Sequence, residues 1–383
     1  MRSLKILHVF RAPIGGLFRH VIDLARGQIE RGHQVGLIVD NLTGNARSRE
    51  VLAGLAPQLP LGIMYLPMPR QLSPQDFSAT IHVSRRVSKA TADVLHGHGA
   101  KGGAYARLAY AGRPLVRAYT PHGGSLLLDH TTLSGKAYLA MERILMPRGD
   151  LYLFESGYGA DIFRNKVGQP TGLVRVIHNG ISRAEFAEVA LAPDASDLVF
   201  VGELRPVKGI DVLLDALAML HRDGLPLTAT FVGDGPDAAA LRAHAEGLSL
   251  AAAVRFLPAM PMRQALALGR LMVIPSRAES LPYVVLEAAA AGRPQITTRV
   301  GGIPEIYGPL SSALVPPGDV LALAAAIRQA VSDPSVTAAM TQQLKQQVAT
   351  SFSVDGMVND VLAGYEQALD RAALSGKATL VSA

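Results

Sequence analysis

The sequence predicts an α/β protein of two doubly wound domains, each a parallel sheet with helices on both faces. Three observations lead there. Short apolar runs ending in small, polar or glycine residues alternate with helically spaced stretches along most of the chain. The 383 residues, 49% of them hydrophobic, suffice for two cores at about 100–200 residues per domain. The charge also changes sign: residues 1–180 hold 22 Lys and Arg against 11 Asp and Glu, and residues 181–383 hold 15 against 20.

In order along the chain, "LKILHVF" (4–10) reads as a buried strand entering a turn at Gly15–Gly16. "LFRHVIDLARGQIERG" spaces its apolar residues as a helix and stops at Gly32, and "HQVGLIVD" is the next strand. The same order recurs in "ADVLHGHG", "AKGGAYARLAYAG" and "PLVRAYTPHG". "LYLFES", "VRVIHNG", "DLVFVGEL", "LTATFVGDGP", "VRFLPA" and "LMVIPSRAES" continue the strands. Residues 179–196 lack strand character, so the boundary falls there. It separates a domain over 1–180 from one over 197–355, followed by a helix over 356–372 and a polar tail over 373–383.

Composition narrows the function. There is no cysteine, hence no disulfide and no thiolate metal site, and a reducing compartment is permitted. Arg11 and Pro13 interrupt the first apolar run before a signal sequence forms, and no run of ~18 apolar residues exists for a membrane span. A soluble cytoplasmic protein is expected. The basic first half is expected to meet something anionic, or it is simply a solvated surface. Nucleic acid is disfavoured by 5% aromatic content and the absence of a recognition motif; a phosphorylated lipid or anionic membrane surface is the other partner. On "SPQDFSATIHVSRRVSKA", Ser73 and Pro74 can start a helix carrying Arg85, Arg86 and Lys89 opposite Phe77 and Ile81.

One stretch carries chemistry. "ESLPYVVLEAAAAGRP" sets Glu279 and Glu287 among apolar residues. A carboxylate taken out of water needs a partner. "RLMVIPS" reads as the preceding strand, Pro282 suits a first helical turn and Gly292 the position after the last one. Glu279 then lies in the loop above a strand end and Glu287 about a turn and a half into the helix. Both can flank one ligand in the crevice at the carboxyl ends of the strands, and sugar hydroxyls suit carboxylates. A capping carboxylate plus a buried ion pair is the alternative.

The block "PSRAESLPYVVLEAAAAGRPQITTRVGGIPEI" (275–306) resembles the Glu-x7-Glu segment of the retaining family 4 glycosyltransferases, whose fold is GT-B: two Rossmann-like domains facing across a cleft. "GGLFRHVIDLARGQIERGHQV", "YTPHGG", "VIHNGI", "VGELRPVKG" and "FVGDGP" are similar to other family segments, in the family's order. The resemblance implies an acceptor-binding first domain, a second domain for a nucleotide sugar, and a last helix crossing back to the first. Glu279 would contact the donor sugar and Glu287 the ribose, with the backbone at Ser280 and Leu281 facing sugar and phosphates. Lys208 and an arginine would neutralise the diphosphate, and His122 would sit at the reaction centre. Gly16 would allow close approach of the backbone, and Phe256 and Leu257 would flank the base.

Two positions depart from the family pattern. Pro282 stands where glycine is frequent, removing one N–H donor. Glu203 stands where arginine is usual, so Arg205 is taken as the substitute, with Glu203 on the opposite face of the strand. His96 and His98 in "HGHGAKGG" could touch the acceptor; as a metal pair they lack a neighbouring carboxylate or third histidine. No Asp-x-Asp is present, and no metal or other cofactor is expected. The expected function is metal-independent, retaining transfer of a sugar from a nucleoside-diphosphate sugar to a glycan or lipid-linked acceptor, in cell-surface polysaccharide or glycolipid synthesis, at the inner membrane face. A GT-B phosphorylase or epimerase, or a non-catalytic binding subunit, is the rival. A dinucleotide oxidoreductase is disfavoured because "PIGGLFRH" is not Gly-x-Gly-x-x-Gly.

Overall fold

The computed structural model describes residues 2–127 and 132–381. Two compact units make up the chain, one of Met1–Gly180 with Val354–Ala383 and one of Ile181–Ser353.

The first unit holds seven parallel strands: β1 (Lys5–Phe10), β2 (Gln34–Asp40), β3 (Ile63–Leu66), β4 (Val94–His98), β5 (Val116–Thr120), β6 (Leu151–Phe154) and β7 (Leu173–Val176). Their order is β3-β2-β1-β4-β5-β6-β7. The central strands are buried on both faces, which is why they read as continuous apolar runs rather than as alternation. The helix Gly99–Leu108 lies close on the sheet. A Cβ on Gly102 would stand 2.2 Å from the Val9 carbonyl oxygen, so "KGGA" answers to that approach.

The chain re-enters this unit as the helix Val354–Val381, which runs through residues where a polar tail is expected from 373. Met357, Val358, Val361, Leu362 and Tyr365 pack with Leu4, Ile6, Leu24, Val94 and Val116 in one buried cluster. At about 1.5–3 kcal/mol per fully buried apolar side chain, the helix is integral to the unit.

The helix Gln75–Ala90 has a different phase from the one expected. Ala79, Val83 and Val87 are its buried face, while Phe77 is 75% exposed and Ile81 37%. Arg85 and Lys89 follow Phe77 and Ile81 at four-residue steps, so they share a face with them rather than opposing them. No described helix is long and apolar enough to cross a membrane.

The second unit has five parallel strands: β8 (Ser196–Val201), β9 (Ala229–Val232), β10 (Val254–Leu257), β11 (Gly269–Ile274) and β12 (Gln295–Thr297). Their order is β10-β9-β8-β11-β12. In each unit the strand order reverses direction beside the unit's first strand, between β1 and β4 and between β8 and β11. Open α/β sheets offer a ligand crevice at the carboxyl ends of such a pair.

Candidate functional site

In the second unit that crevice is built from the segments leaving β8 and β11. After β8 the chain makes a short 3₁₀ turn, Pro206–Lys208, and reverses at Gly209 with φ +65°. A Cβ there would lie 2.0 Å from the Pro275 carbonyl oxygen, so only glycine lets the two segments meet. The Arg277 backbone N–H donates to Val207 at 2.7 Å, and the Arg277 guanidinium forks onto Asp211 at 2.7 and 2.6 Å.

These ties set Lys208 against Glu279. Lys208 Nζ donates to Glu279 Oε1 at 2.6 Å, and Ser276 Oγ donates to the same oxygen at 2.6 Å. Glu279 is 8% exposed, so its charge is buried but answered. The loop is held from beneath: Gly302 N–H donates to the Ser280 carbonyl at 2.6 Å. Pro282 is the residue before the helix Tyr283–Ala290, and Gly292 follows its end with φ +67°. Leu281 is buried in the apolar cluster under this helix. Glu287, on the helix, is partly exposed and lines a small recess with Glu185, Met262, Arg263 and Leu266.

Other expected residues fall elsewhere. Successive side chains of a strand point to opposite faces. Leu257 therefore packs toward the cluster that holds Leu281, while Phe256 packs into the other core. The Phe256 ring stacks on Phe231 at 4.9 Å, and the Arg242 guanidinium lies 4.8 Å from its centre. Its ring is held by these packing contacts on the face of the strand opposite Leu257, so the two do not flank a base from one side. Arg205 pairs with Glu203 at 3.2 Å, both largely in solvent, and lines an outer hollow with Asp211, Asp237 and His244. Glu203 is therefore not on the face opposite Arg205: residues two apart on extended backbone share a side.

The first unit gathers five histidines, though the sequence pointed to only three of them. Parallel register sets His8 of β1 beside His96 of β4, and His98 follows two residues on. His20 comes from the helix Gly15–Glu30, whose exposed second residue is Gly16. His122 follows β5 in a left-handed backbone turn, φ +53°. His8 Nε2 meets Gln28 Oε1 at 2.8 Å, and His8 Nδ1 meets His98 Nε2 at 2.9 Å. His98 Nδ1 meets His122 Nε2 at 3.0 Å, and His122 Nδ1 meets Glu155 Oε1 at 2.7 Å. His20 Nδ1 meets Asn179 Oδ1 at 2.9 Å, and His96 bridges Tyr365 and Thr120.

Burial lowers the pKa of His8 to about 4. Burial, with His122 second, lowers His20 to about 3. Burial also holds His96 and His98 well below the usual range. Burial pushes the Glu155 carboxyl up, but the electrostatic pull and hydrogen bond of His122 outweigh it, leaving about 2. Both ring nitrogens of His122 are thus engaged within the unit. The third histidine that His96 and His98 lacked in sequence is supplied from far along the chain. The only local signal was the alternate spacing of His96 and His98 on one strand; strand register, which sequence does not display, does the rest.

Comparison with known proteins follows the same division. Residues 14–185 match the family described as Glycosyltransferase Family 4, and residues 195–333 match Glycosyl transferases group 1. The chain is 28% identical over 428 residues to the D-inositol 3-phosphate glycosyltransferase of Actinosynnema mirum, covering 97% of this chain and 98% of that protein. It is 30% identical over 219 residues to the glycogen synthase of Mycobacterium tuberculosis, over 56% of this chain and about half, 53%, of that protein. Among solved structures, sucrose-phosphate synthase from Thermosynechococcus elongatus superposes with a TM-score of 0.79 at 20% identity, over 96% of this chain and 99% of that one. Anabaena HepE in complex with UDP-glucose gives 0.77 at 21%, over 95% and 100%. The two α/β units have the GT-B fold, and the chain belongs to the family 4 glycosyltransferases.

Proposed function

We propose that this chain moves a sugar from a nucleoside-diphosphate sugar to an acceptor hydroxyl with retained anomeric configuration, and that no metal bridges the diphosphate. The observation that carries the reading is the Lys208–Glu279–Ser276 contact at the carboxyl ends of β8 and β11. Lys208 and Ser276 both donate to Glu279 Oε1, which leaves Oε2 as the oxygen for sugar hydroxyls. Glu287 takes the ribose hydroxyls, with Ser280, Leu281 and Leu257 beside the nucleotide and Gly16 allowing close backbone approach.

As the bond from C1 to the leaving oxygen breaks, negative charge grows on the diphosphate. Lys208 supplies the fixed positive charge there, an effect worth about 10²–10³ in rate per donor group. The acceptor hydroxyl attacks C1 from the face the diphosphate leaves, and its proton passes to a departing phosphate oxygen. The His122 ring is engaged with Glu155 and His98, so its role toward the sugar falls to the backbone at its left-handed turn. The UDP-glucose held by HepE supports a nucleotide-sugar donor.

The acceptor is glycan or lipid-linked, in cell-surface polysaccharide or glycolipid synthesis at the cytoplasmic face of an anionic membrane. The exposed Phe77 and Ile81 beside Arg85 and Lys89 support this. Vesicle binding should rise with anionic lipid and fall with salt; equal binding to neutral vesicles would refute it.

A thermal-shift panel of nucleotide sugars identifies the donor. Nucleoside-diphosphate release and the anomeric coupling constant of the product then test the reaction. Turnover should persist in excess EDTA; loss that Mg²⁺ restores and Zn²⁺ does not would refute the metal-free diphosphate. Product of inverted configuration would refute retention. Binding with no turnover on any acceptor would leave a non-catalytic subunit, and release of sugar phosphate would indicate a phosphorylase.

A further inference from the structure

The histidine network of the first unit can be counted proton by proton. Glu155, an ionised carboxylate, only accepts, so it takes the His122 Nδ1 proton, and in the neutral His122 ring Nε2 is then bare. The Asn179 side chain hydrogen-bonds to the same carboxylate, which fixes its N–H toward Glu155 and its Oδ1 toward His20. His20 therefore carries its proton on Nδ1, and its Nε2 is buried without a hydrogen-bond partner. Gln28 Oε1 takes the His8 Nε2 proton, so His8 Nδ1 accepts. His98 must then donate from Nε2, which leaves His98 Nδ1 bare.

Two bare nitrogens, on His98 and His122, thus face each other at 3.0 Å. Lone pairs so placed repel unless a proton or a metal cation lies between them, and metal analysis separates the two. The bare nitrogen of His20 is the third of the set, and one ring nitrogen from each of His20, His98 and His122 lies within 4.8 Å of the others. The opposite nitrogen of each ring is anchored, by Asn179, His8 and Glu155. Anchoring of that kind fixes the tautomer and aim of metal-binding imidazoles. The neighbouring trio His8, His96 and His98 fails the same count. Both His96 nitrogens are taken by Tyr365 and Thr120, and both His8 nitrogens by Gln28 and His98.

We propose that His20 Nε2, His98 Nδ1 and His122 Nε2 bind one first-row transition-metal dication, of which zinc is the first choice. Neutral imidazoles suit zinc and its neighbours, whereas Mg²⁺ and Ca²⁺ require oxygen ligands that these nitrogens do not offer. Metal–nitrogen bonds of about 2.0–2.1 Å at a tetrahedral angle place the nitrogens about 3.3 Å apart, so the His98–His122 pair opens by a few tenths of an ångström and His20 adjusts from within 4.8 Å. Glu155 supplies the balancing charge from behind His122. The ion's role is structural: it pins the left-handed turn at His122 to β4 and to the helix Gly15–Glu30. The inference shares with the sugar-transfer reading only the backbone of the His122 turn and of the helix Gly15–Glu30, and takes nothing from Lys208, Glu279 or Glu287.

The test uses the full chain without an affinity tag, loaded with ZnCl₂ or CoCl₂ and freed of excess metal by gel filtration. Metal analysis should find about one zinc per chain, and the melting temperature should rise by several degrees on loading. The cobalt form should show a visible d–d band. His20→Gln and His98→Gln, each checked for folding by circular dichroism, should both lose the metal and the melting response, while His96→Gln should keep them. A folded wild-type chain that takes up no zinc, or a His20→Gln chain that retains it, would overturn the site. So would a proton resonance showing a hydrogen shared between His98 and His122 in the zinc-treated protein. Because the readouts are metal content and melting, failure here leaves the sugar-transfer reading untouched, and failure of that reading leaves these readouts unchanged.

Discussion

Replacing Lys208 by alanine removes the ammonium that sits 2.6 Å from Glu279 Oε1 and leaves Ser276 on that oxygen. The lysine side chain is 23% exposed and the glutamate 10%, so the pair is mostly but not fully desolvated. Breaking a fully buried pair costs about 3–5 kcal/mol, and partial solvation here brings the expected loss to about 1–2 kcal/mol. For a unit of this size that lowers the melting temperature by roughly 2–8 °C. Turnover should fall further, by about 10²–10³, because the cation at the leaving diphosphate is lost as well. Arg205→Ala removes a pair that is 40% and 53% exposed, worth up to about 1 kcal/mol at most, and Glu203→Ala removes the same pair from the other side. Both should stay within a few-fold of wild type. The assay is steady-state nucleotide release with the identified donor, alongside thermal melts of all three variants. A Lys208→Ala enzyme within about tenfold of wild type would refute the role assigned to the Lys208–Glu279 pair. An Arg205→Ala enzyme as impaired as Lys208→Ala would show that the arginine leaves Glu203 and turns to the diphosphate.

Gly209→Ala should destabilise by far more than Gly224→Ala. Both backbones are left-handed, but the first Cβ meets the Pro275 carbonyl at 2.0 Å and the second meets nothing within 4 Å; similar melting temperatures would contradict this. Phe256→Ala should cost about 2–3 kcal/mol in a denaturant melt yet leave donor affinity within a few-fold, and a selective loss of affinity would return Phe256 to the base site. His33 Nδ1 accepts the Leu4 N–H at 3.1 Å, and burial lowers its pKa. The unfolded chain therefore takes that proton first, so His33 stabilises above about pH 6.5 and the contribution disappears as pH falls toward the folded value. His33→Gln should flatten that part of the acid limb in pH-dependent melts; an unchanged slope would count against it.

What the sequence displays is local. Strand, glycine turn and helix follow each other in the chain, so "RLMVIPS" and "YVVLEAAAAG" announce a strand and a helix with Glu279 between them. The glycine after Lys208 and the proline before Tyr283 likewise mark their own turns. Lateral order is another matter. Nothing in residues 1–10 says that β1 lies beside β4, so His8 cannot be joined to His96 without the register. Phase errors have equally physical sources. Phe256 and Leu257 are adjacent in sequence, and that adjacency is what sends them to opposite faces. Phe77 and Ile81 are apolar, yet Ala79, Val83 and Val87 are the residues that pack with Leu7, Val9 and Ile38 of the sheet. The sequence after 372 carries no strong apolar period, so nothing local announces that the helix continues to Val381.

The return of the chain to its first unit has a consequence for biogenesis. His96 meets Tyr365 at a sequence separation of 269, and the cluster of Leu4, Ile6, Leu24, Val94 and Val116 is closed by Met357 through Leu362. At about 5–20 residues per second, a ribosome that has finished β4 needs roughly ten seconds to a minute more before Tyr365 emerges. The second unit, Ile181–Ser353, is contiguous and complete before then. The half of the molecule made first is therefore the half finished last, with an apolar seam open to water throughout the interval. That seam is the surface a trigger-type chaperone would cover during synthesis.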